Sequence, residues 1–172
     1  MKPPAYRRAE ERDVAPLLAL INGYARRNLL LHRSEASLRE HLEDFTVVES
    51  DGQVVACAAL SELGPGLGEV RSLAVREDHG GRGLGRALVE RLLAEAGERG
   101  FERVLSLTRR VSFFEALGFS VTRRELFLDK LSTDCKDCPL NLCCDETALV
   151  RAPLHPRGAS LTPDAGEGVT LA

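Results

Sequence analysis

Apolar positions recur along this chain with distinct spacings, and those spacings divide it into elements. Val14, Leu17, Leu18, Ile21 and Tyr24 fall at intervals of three and four, which predicts a helix over 11–28 with one face on a core. Ser34, followed by Leu38, Leu42 and Phe45, predicts a second helix behind an N-cap serine. Residues 45–49 and 53–61 are strand formers flanking Asp51-Gly52, the dipeptide suited to a two-residue hairpin. A short strand is predicted at 5–9, and another at 69–75 after the Gly64-Pro65-Gly66 loop. Leu84, Leu88, Leu92 and Ala96 form one face of a helix that runs to about Arg99 and stops at Gly100. Residues 104–108 read as a buried strand, 112–117 as a short helix ended by Gly118, and 119–128 as a returning strand. Strands and helices are thus interleaved around a strand–glycine loop–helix–strand unit, an α/β (α+β) pattern without internal repeats.

Composition narrows the class. With 172 residues, 44% hydrophobic and 28% charged, the chain suits one domain, expected over 1–150. Residues 151–172 contain Pro153, Pro156, Pro163, Gly158, Gly166 and Gly168 without periodicity and predict a flexible tail. A net charge of -3 gives no reason to expect a nucleic-acid partner, and no run of about 20 apolar residues predicts a membrane span. Met1-Lys2-Pro3-Pro4 lacks the apolar stretch of a secretory signal, so a cytoplasmic protein is expected. In that setting the five cysteines point to metal or redox chemistry more than to a disulfide framework.

Glycines 80, 81, 83 and 85 lie between a strand and a helix, where backbone N–H groups converge on an anion at the positive helix end. The spacing is not that of a nucleotide triphosphatase loop, and it fits the dinucleotide fingerprint poorly. A glycine-rich turn without a ligand stands beside the anion-loop reading. The surrounding residues carry more weight. Glu69-Val70-Arg71-Ser72-Leu73-Ala74-Val75, the loop, and Phe113-Phe114-Glu115-Ala116-Leu117-Gly118-Phe119 resemble the GNAT acetyltransferase superfamily. Gly83 and Gly85 match the two small positions of its anion loop, while Gly80 stands where Gln or Arg is usual.

The resemblance implies the GNAT fold: a mixed, mostly antiparallel sheet flanked by helices on both faces. It also implies acetyl-CoA as co-substrate. Gly80, Gly81, Arg82, Gly83, Leu84, Gly85 and Arg86 would hold its pyrophosphate, with Leu73, Ala74 and Val75 along the pantetheine arm. Within the superfamily, 29–34, 44–48, 55–60, Gly68-Glu69 and Leu107-Thr108 resemble the acetyltransferase domain of N-acetylglutamate synthase, in its short bacterial form without a kinase-like domain. That implies transfer of an acetyl group to the amine of glutamate on the way to arginine. Alternatives are glutamine, a peptide N-terminus, or an acyl-CoA-binding sensor without turnover. The oligomeric state stays open, a homodimer included.

The implied reaction needs a base for the attacking ammonium, and Glu69 matches the family's proposed base. The family's usual tyrosine acid is replaced by the Phe113-Phe114 pair, which leaves Ser112 or Thr108 as hydroxyl donors; Ser112 equally suits a helix cap. Two acceptor carboxylates require cationic partners. Arg33 is assigned to one by the resemblance, Arg71 shares a strand face with Glu69, and Arg109 follows the next strand. The last dense feature is a Cys-rich segment at 134–146. Cys135 and Cys138 have zinc-ligand spacing, Cys144 (or Cys143) supplies a third thiolate, and His155, His79 or water completes the set. A redox-sensitive pair and plain buried thiols are the other readings. Cys57, mid-strand, is expected in the core.

Overall fold

The computed structural model describes residues 3–153 except 137 and 140, with the side chains of residues 134 and 141 also left undescribed. Seven strands form one sheet: β1 (Ala5–Arg8), β2 (Phe45–Ser50), β3 (Gln53–Gly64), β4 (Leu67–Val75), β5 (Arg103–Thr108), β6 (Ser120–Thr122) and β7 (Thr147–Arg151). Their spatial order is β1-β2-β3-β4-β5-β7-β6. Only β4 and β5 run parallel; every other neighbouring pair is antiparallel. The helices are α1 (Val14–Ala25), α2 (Glu35–Glu40), α3 (Leu84–Glu98), α4 (Val111–Glu115) and α5 (Leu128–Lys130).

The expected sheet with helices on both faces is therefore present. The centre is β3, where residues 55–61 are all buried because the strand is covered on both sides. Ala56, Ala58 and Leu60 pack under α3, whose Leu84, Leu88, Leu92 and Ala96 meet them as the helical period requires. Cys57 and Ala59 point the other way, against Val14, Leu17 and Ile21 of α1 and Leu38 of α2. Small side chains along β3 let both helical layers approach. Asp51 and Gly52 both have positive φ, 49° and 76°, as the tight β2–β3 turn demands. Ser34 caps α2 by accepting the Ser37 N–H at 3.1 Å.

Three expectations change. Strand β6 is three residues long, not ten. The chain then turns through a 3-10 segment at Arg124–Leu126 into α5 and a π-helical turn, Leu131–Cys135. Burial here does not keep a strand's alternation: Phe127 and Lys130, three apart, are buried, while Glu125, Leu126, Leu128 and Asp129 are exposed. Second, Thr147–Arg151 forms a strand that the sequence reading did not contain, and it inserts between β5 and β6. Its apolar stretch is too short to stand out from the cysteine-rich segment before it. Third, Arg151, expected to start a tail, ends β7 and donates to the Leu117 carbonyl. Residues 154–172 of the expected tail lie outside the described residues.

Arg7 of β1 ties three elements together. Its guanidinium donates to Asp13 at 2.6 and 3.0 Å and to Glu49 at 2.7 and 3.0 Å. The hydrogen bond from Arg7 holds the buried Asp13 carboxyl below the usual carboxylate range. A depressed native pKa adds stability that is complete above the unfolded value, about 3.9, and is lost as pH falls through the native one. Asp13→Asn is expected to lower the melting temperature at neutral pH, and that difference is expected to shrink toward about pH 2. Leu92→Ala, at a fully buried α3 position, is expected to cost about 2–5 kcal/mol in denaturant unfolding.

Candidate active site

Strands β4 and β5 pair at only three positions, Leu67↔Arg103, Gly68↔Val104 and Glu69↔Leu105. Past Glu69 they part. One cause is visible on the other edge of β4. Partners Cys57↔Ala74 and Ala59↔Arg71 leave Ser72 and Leu73 opposite the single residue Ala58, a β-bulge. Ser72 sits at its centre with φ 53°, a left-handed conformation that a non-glycine residue holds only at a cost. Ser106 Oγ donates to the Val70 carbonyl at 3.2 Å, just beyond the last strand pair.

The gap between the strands is a cleft of about 490 Å³. Leu73, Ala74 and Val75 form one wall, and residues 106–110 with Phe113 form the other. Gly80, Gly81, Gly83, Leu84, Gly85 and Arg86 close one end. Gly83 stands before α3 with φ 77°, which turns the chain so that the first N–H groups of a 15-residue helix face the cleft end. The expected co-substrate residues are thus assembled on one surface, except Arg82. Its guanidinium folds back to the Asp78 carbonyl at 3.1 Å, outside the cleft lining. Arg86 lines the cleft and is also held by Glu90 at 2.8 Å.

A second, small cavity of about 70 Å³ adjoins the cleft where β4 begins to diverge. Leu30, Arg71, Ser72, Leu107 and Glu146 line both spaces. Glu69, Arg33 and Arg71, predicted from sequence, line this cavity together. Arg33 arrives from the segment after α1, and Asn22 holds its backbone there. The Arg33 N–H donates to Asn22 Oδ1 and Asn22 Nδ2 donates to the Arg33 carbonyl, each at 2.9 Å. An asparagine on an otherwise apolar helix was the available signal for this brace.

The residue the sequence reading missed is Lys130. Its ammonium lies 2.7 Å from Glu69 Oε1 and 2.9 Å from Oε2. Both side chains are buried, Glu69 at 2% and Lys130 at 4% exposure, so neither charge is compensated by water. Glu146, beside them, has its carboxyl raised by burial, an effect that Arg109 opposes.

Other expectations move. Arg109 lines the cleft but not the small cavity, and its guanidinium is held by Asp145 at 2.7 Å and Glu146 at 3.2 Å. Ser112 is exposed on α4 and lines neither space, so it is not positioned as a donor. Thr108 lines the cleft, where its hydroxyl accepts the Arg110 N–H at 2.9 Å.

Cys135, Cys138 and Cys144, expected to lie apart from the chemistry, line the same small cavity as Glu69. Among the described residues no group of three or more Cys, His, Asp or Glu is arranged to hold a metal ion. The zinc set expected on Cys135, Cys138 and Cys144 is not assembled as such a group among those residues. The Lys130 ammonium lines the same space, and burial pushes the Cys135 thiol up. Cys57, as expected, is a core residue; burial pushes its thiol up to about 12.

A larger hollow of about 980 Å³ lies by α1 and the β2–β3 turn. Its charged lining is already paired internally, Arg7 with Asp13 and Glu49, Arg27 with Glu77, and Arg76 with Asp78. It offers no converging charge for a ligand.

Known proteins are similar to this chain in sequence and in fold. A sequence model of the acetyltransferase (GNAT) family matches residues 12–119. An uncharacterized N-acetyltransferase of Chlorobaculum tepidum is 37% identical over 145 residues, 84% of this chain and 94% of that protein. An amino-acid acetyltransferase of Mycobacterium tuberculosis is 38% identical over 120 residues, 68% of each chain. The Escherichia coli amino-acid acetyltransferase is 32% identical over 116 residues, and the match spans only 26% of its length. Among solved structures, N-acetylglutamate synthase from Neisseria gonorrhoeae, complexed with coenzyme A and N-acetyl-glutamate, superposes with a TM-score of 0.81 at 25% identity. That match covers 90% of this chain and 36% of the other. A Mycobacterium tuberculosis protein in complex with CoA superposes with a TM-score of 0.75 at 30% identity, over 87% of this chain and 99% of that one. The sheet is that of the GNAT fold, and since the family match spans more than half of its residues, the chain belongs to the acetyltransferase (GNAT) family.

Proposed function

We propose that this chain is an amino-acid N-acetyltransferase that moves the acetyl group of acetyl-CoA to the α-amine of glutamate, the first step toward arginine. The observation that carries the reading is the charge of the small cavity. Arg33, Arg71, Arg124 and Lys130 line it against the carboxylates of Glu69 and Glu146, a formal excess of two positive charges. Glutamate with its amine deprotonated carries two negative charges. Relatives named amino-acid acetyltransferases, and the gonococcal synthase bound to N-acetyl-glutamate, support the same substrate class.

In this reading the pyrophosphate lies at the α3 N-terminus. The pantetheine arm follows the open edge of β4, and the thioester sits where cleft and cavity meet. The attacking amine must first lose a proton, because an ammonium has no lone pair. Glu69, buried at that junction, takes it. The nitrogen then adds to the thioester carbonyl, the carbon–sulfur bond breaks, and the CoA thiolate leaves with the second proton, which the acylated nitrogen sheds and the Thr108 hydroxyl or a water relays; the proton on Glu69 passes to solvent. Arg33 and Arg71 hold acceptor carboxylates with charge-assisted hydrogen bonds.

The experiment is CoA release with acetyl-CoA and each of the twenty amino acids. Glutamate is expected as the preferred acceptor. Turnover of glutamine alone would move the acceptor assignment, and no turnover with any amino acid despite CoA binding would overturn the enzyme reading. Glu69→Gln is expected to reduce kcat by about 10²–10⁴-fold with acetyl-CoA affinity unchanged in calorimetry. Arg33→Met is expected to raise the KM for glutamate by roughly 10–100-fold in the same assay, the loss of one charge-assisted contact. Gly83→Ala is expected to weaken acetyl-CoA binding by about tenfold, because its φ of 77° suits glycine alone.

A further inference from the structure

Resting on that reading, we propose that Lys130 is a positioning residue for the base, holding the Glu69 carboxylate in one orientation at the junction of cleft and cavity. Its ammonium meets both carboxylate oxygens, at 2.7 and 2.9 Å, so the contact fixes the plane of the carboxylate as well as its charge. A carboxylate at 2% exposure needs such a partner to stay charged, and a base has to be charged before it can take a proton.

The chain builds this contact from far away in sequence, and it does so rigidly. Phe127 is buried with Leu67 and Leu105, beneath the last residues at which β4 and β5 pair. The Leu131 N–H donates to the Phe127 carbonyl at 3.1 Å, and the Thr133 hydroxyl donates to the Asp129 carbonyl at 2.7 Å. Lys130 lies between these anchors, just before the π-helical turn Leu131–Cys135. Such turns are rare and recur at functional sites. Phe127 thus sets the depth of the segment under β4, and the turn aims the buried Lys130 at Glu69.

A residue that acts only through Glu69 has a kinetic signature. Lys130→Met is expected to lower kcat about 10–100-fold with the KM values for acetyl-CoA and glutamate nearly unchanged, and Lys130→Arg to recover most of that loss. In a Glu69→Gln background, Lys130→Met is expected to add nothing further, because the group it positions is already gone. A full additional loss in that background would overturn the proposal. So would a raised glutamate KM with kcat intact, which would place Lys130 on the acceptor instead. Thermal melting and acetyl-CoA binding identify folded variants, and Lys130→Arg serves if the methionine variant does not fold.

The contact can also be read without turnover. The chain has three lysines, Lys2, Lys130 and Lys136, so a slowly exchanging ¹⁵N ammonium resonance is readily assigned by Lys130→Arg. It is expected in the wild type and expected to vanish in Glu69→Gln; its persistence there would overturn the positioning. A wild type that acetylates no amino acid but shows this resonance would overturn the proposed function and leave the contact standing.

Discussion

Parallel pairing between β4 and β5 stops after three residue pairs, and the space offered to a ligand exists because it stops. A sheet that continued regularly would have satisfied the backbone of 70–75 with its neighbour and left no cleft. The bulge at Ser72 turns β4 away, while the two hydrophobic layers around β3 keep the rest of the sheet in place. An open strand edge is a liability in most proteins. Here it faces a cleft whose far end is the start of α3, so one extended ligand with an anionic head can satisfy both the edge and the helix end.

Electrostatics then divides the opening into two compartments. The glycine loop supplies backbone donors and helix-end polarity, suited to a pyrophosphate and indifferent to what lies beyond it. The small cavity supplies side-chain charge. Burial of Glu69 and Lys130 against each other stabilises neither alone. It costs desolvation on both sides and pays only as a pair. Such a contact contributes orientation more than stability.

The cysteines illustrate how spacing leaves location open. Cys135 and Cys138 have the interval of a zinc knuckle, and they form part of the wall of the small cavity, beside a lysine ammonium. Phe127 under the sheet and Lys130 at Glu69 come just before them in the chain, and thiols suit such a wall as small, weakly polar residues.

Local pattern was sufficient for the helices α1 and α3, the Asp51-Gly52 turn, the glycine loop and the central strands, because each depends on contacts within a few residues or on a period of apolar positions. Glu69 and Arg33 were also legible through a resemblance carried by contiguous motifs, and Arg71 through its place two residues along the strand from Glu69; the three share one cavity. Three things were decided only in the tertiary structure. Strand β7 pairs between β5 and β6 although Thr147–Arg151 is too short to announce itself. Ser112 follows the right strand but faces solvent, since the turn before α4 sets its direction. Lys130 meets Glu69 across 61 positions. A lysine between Leu126-Phe127-Leu128 and Leu131 carries no periodic signal of its own, and its burial is tolerated only when folding brings a carboxylate to it.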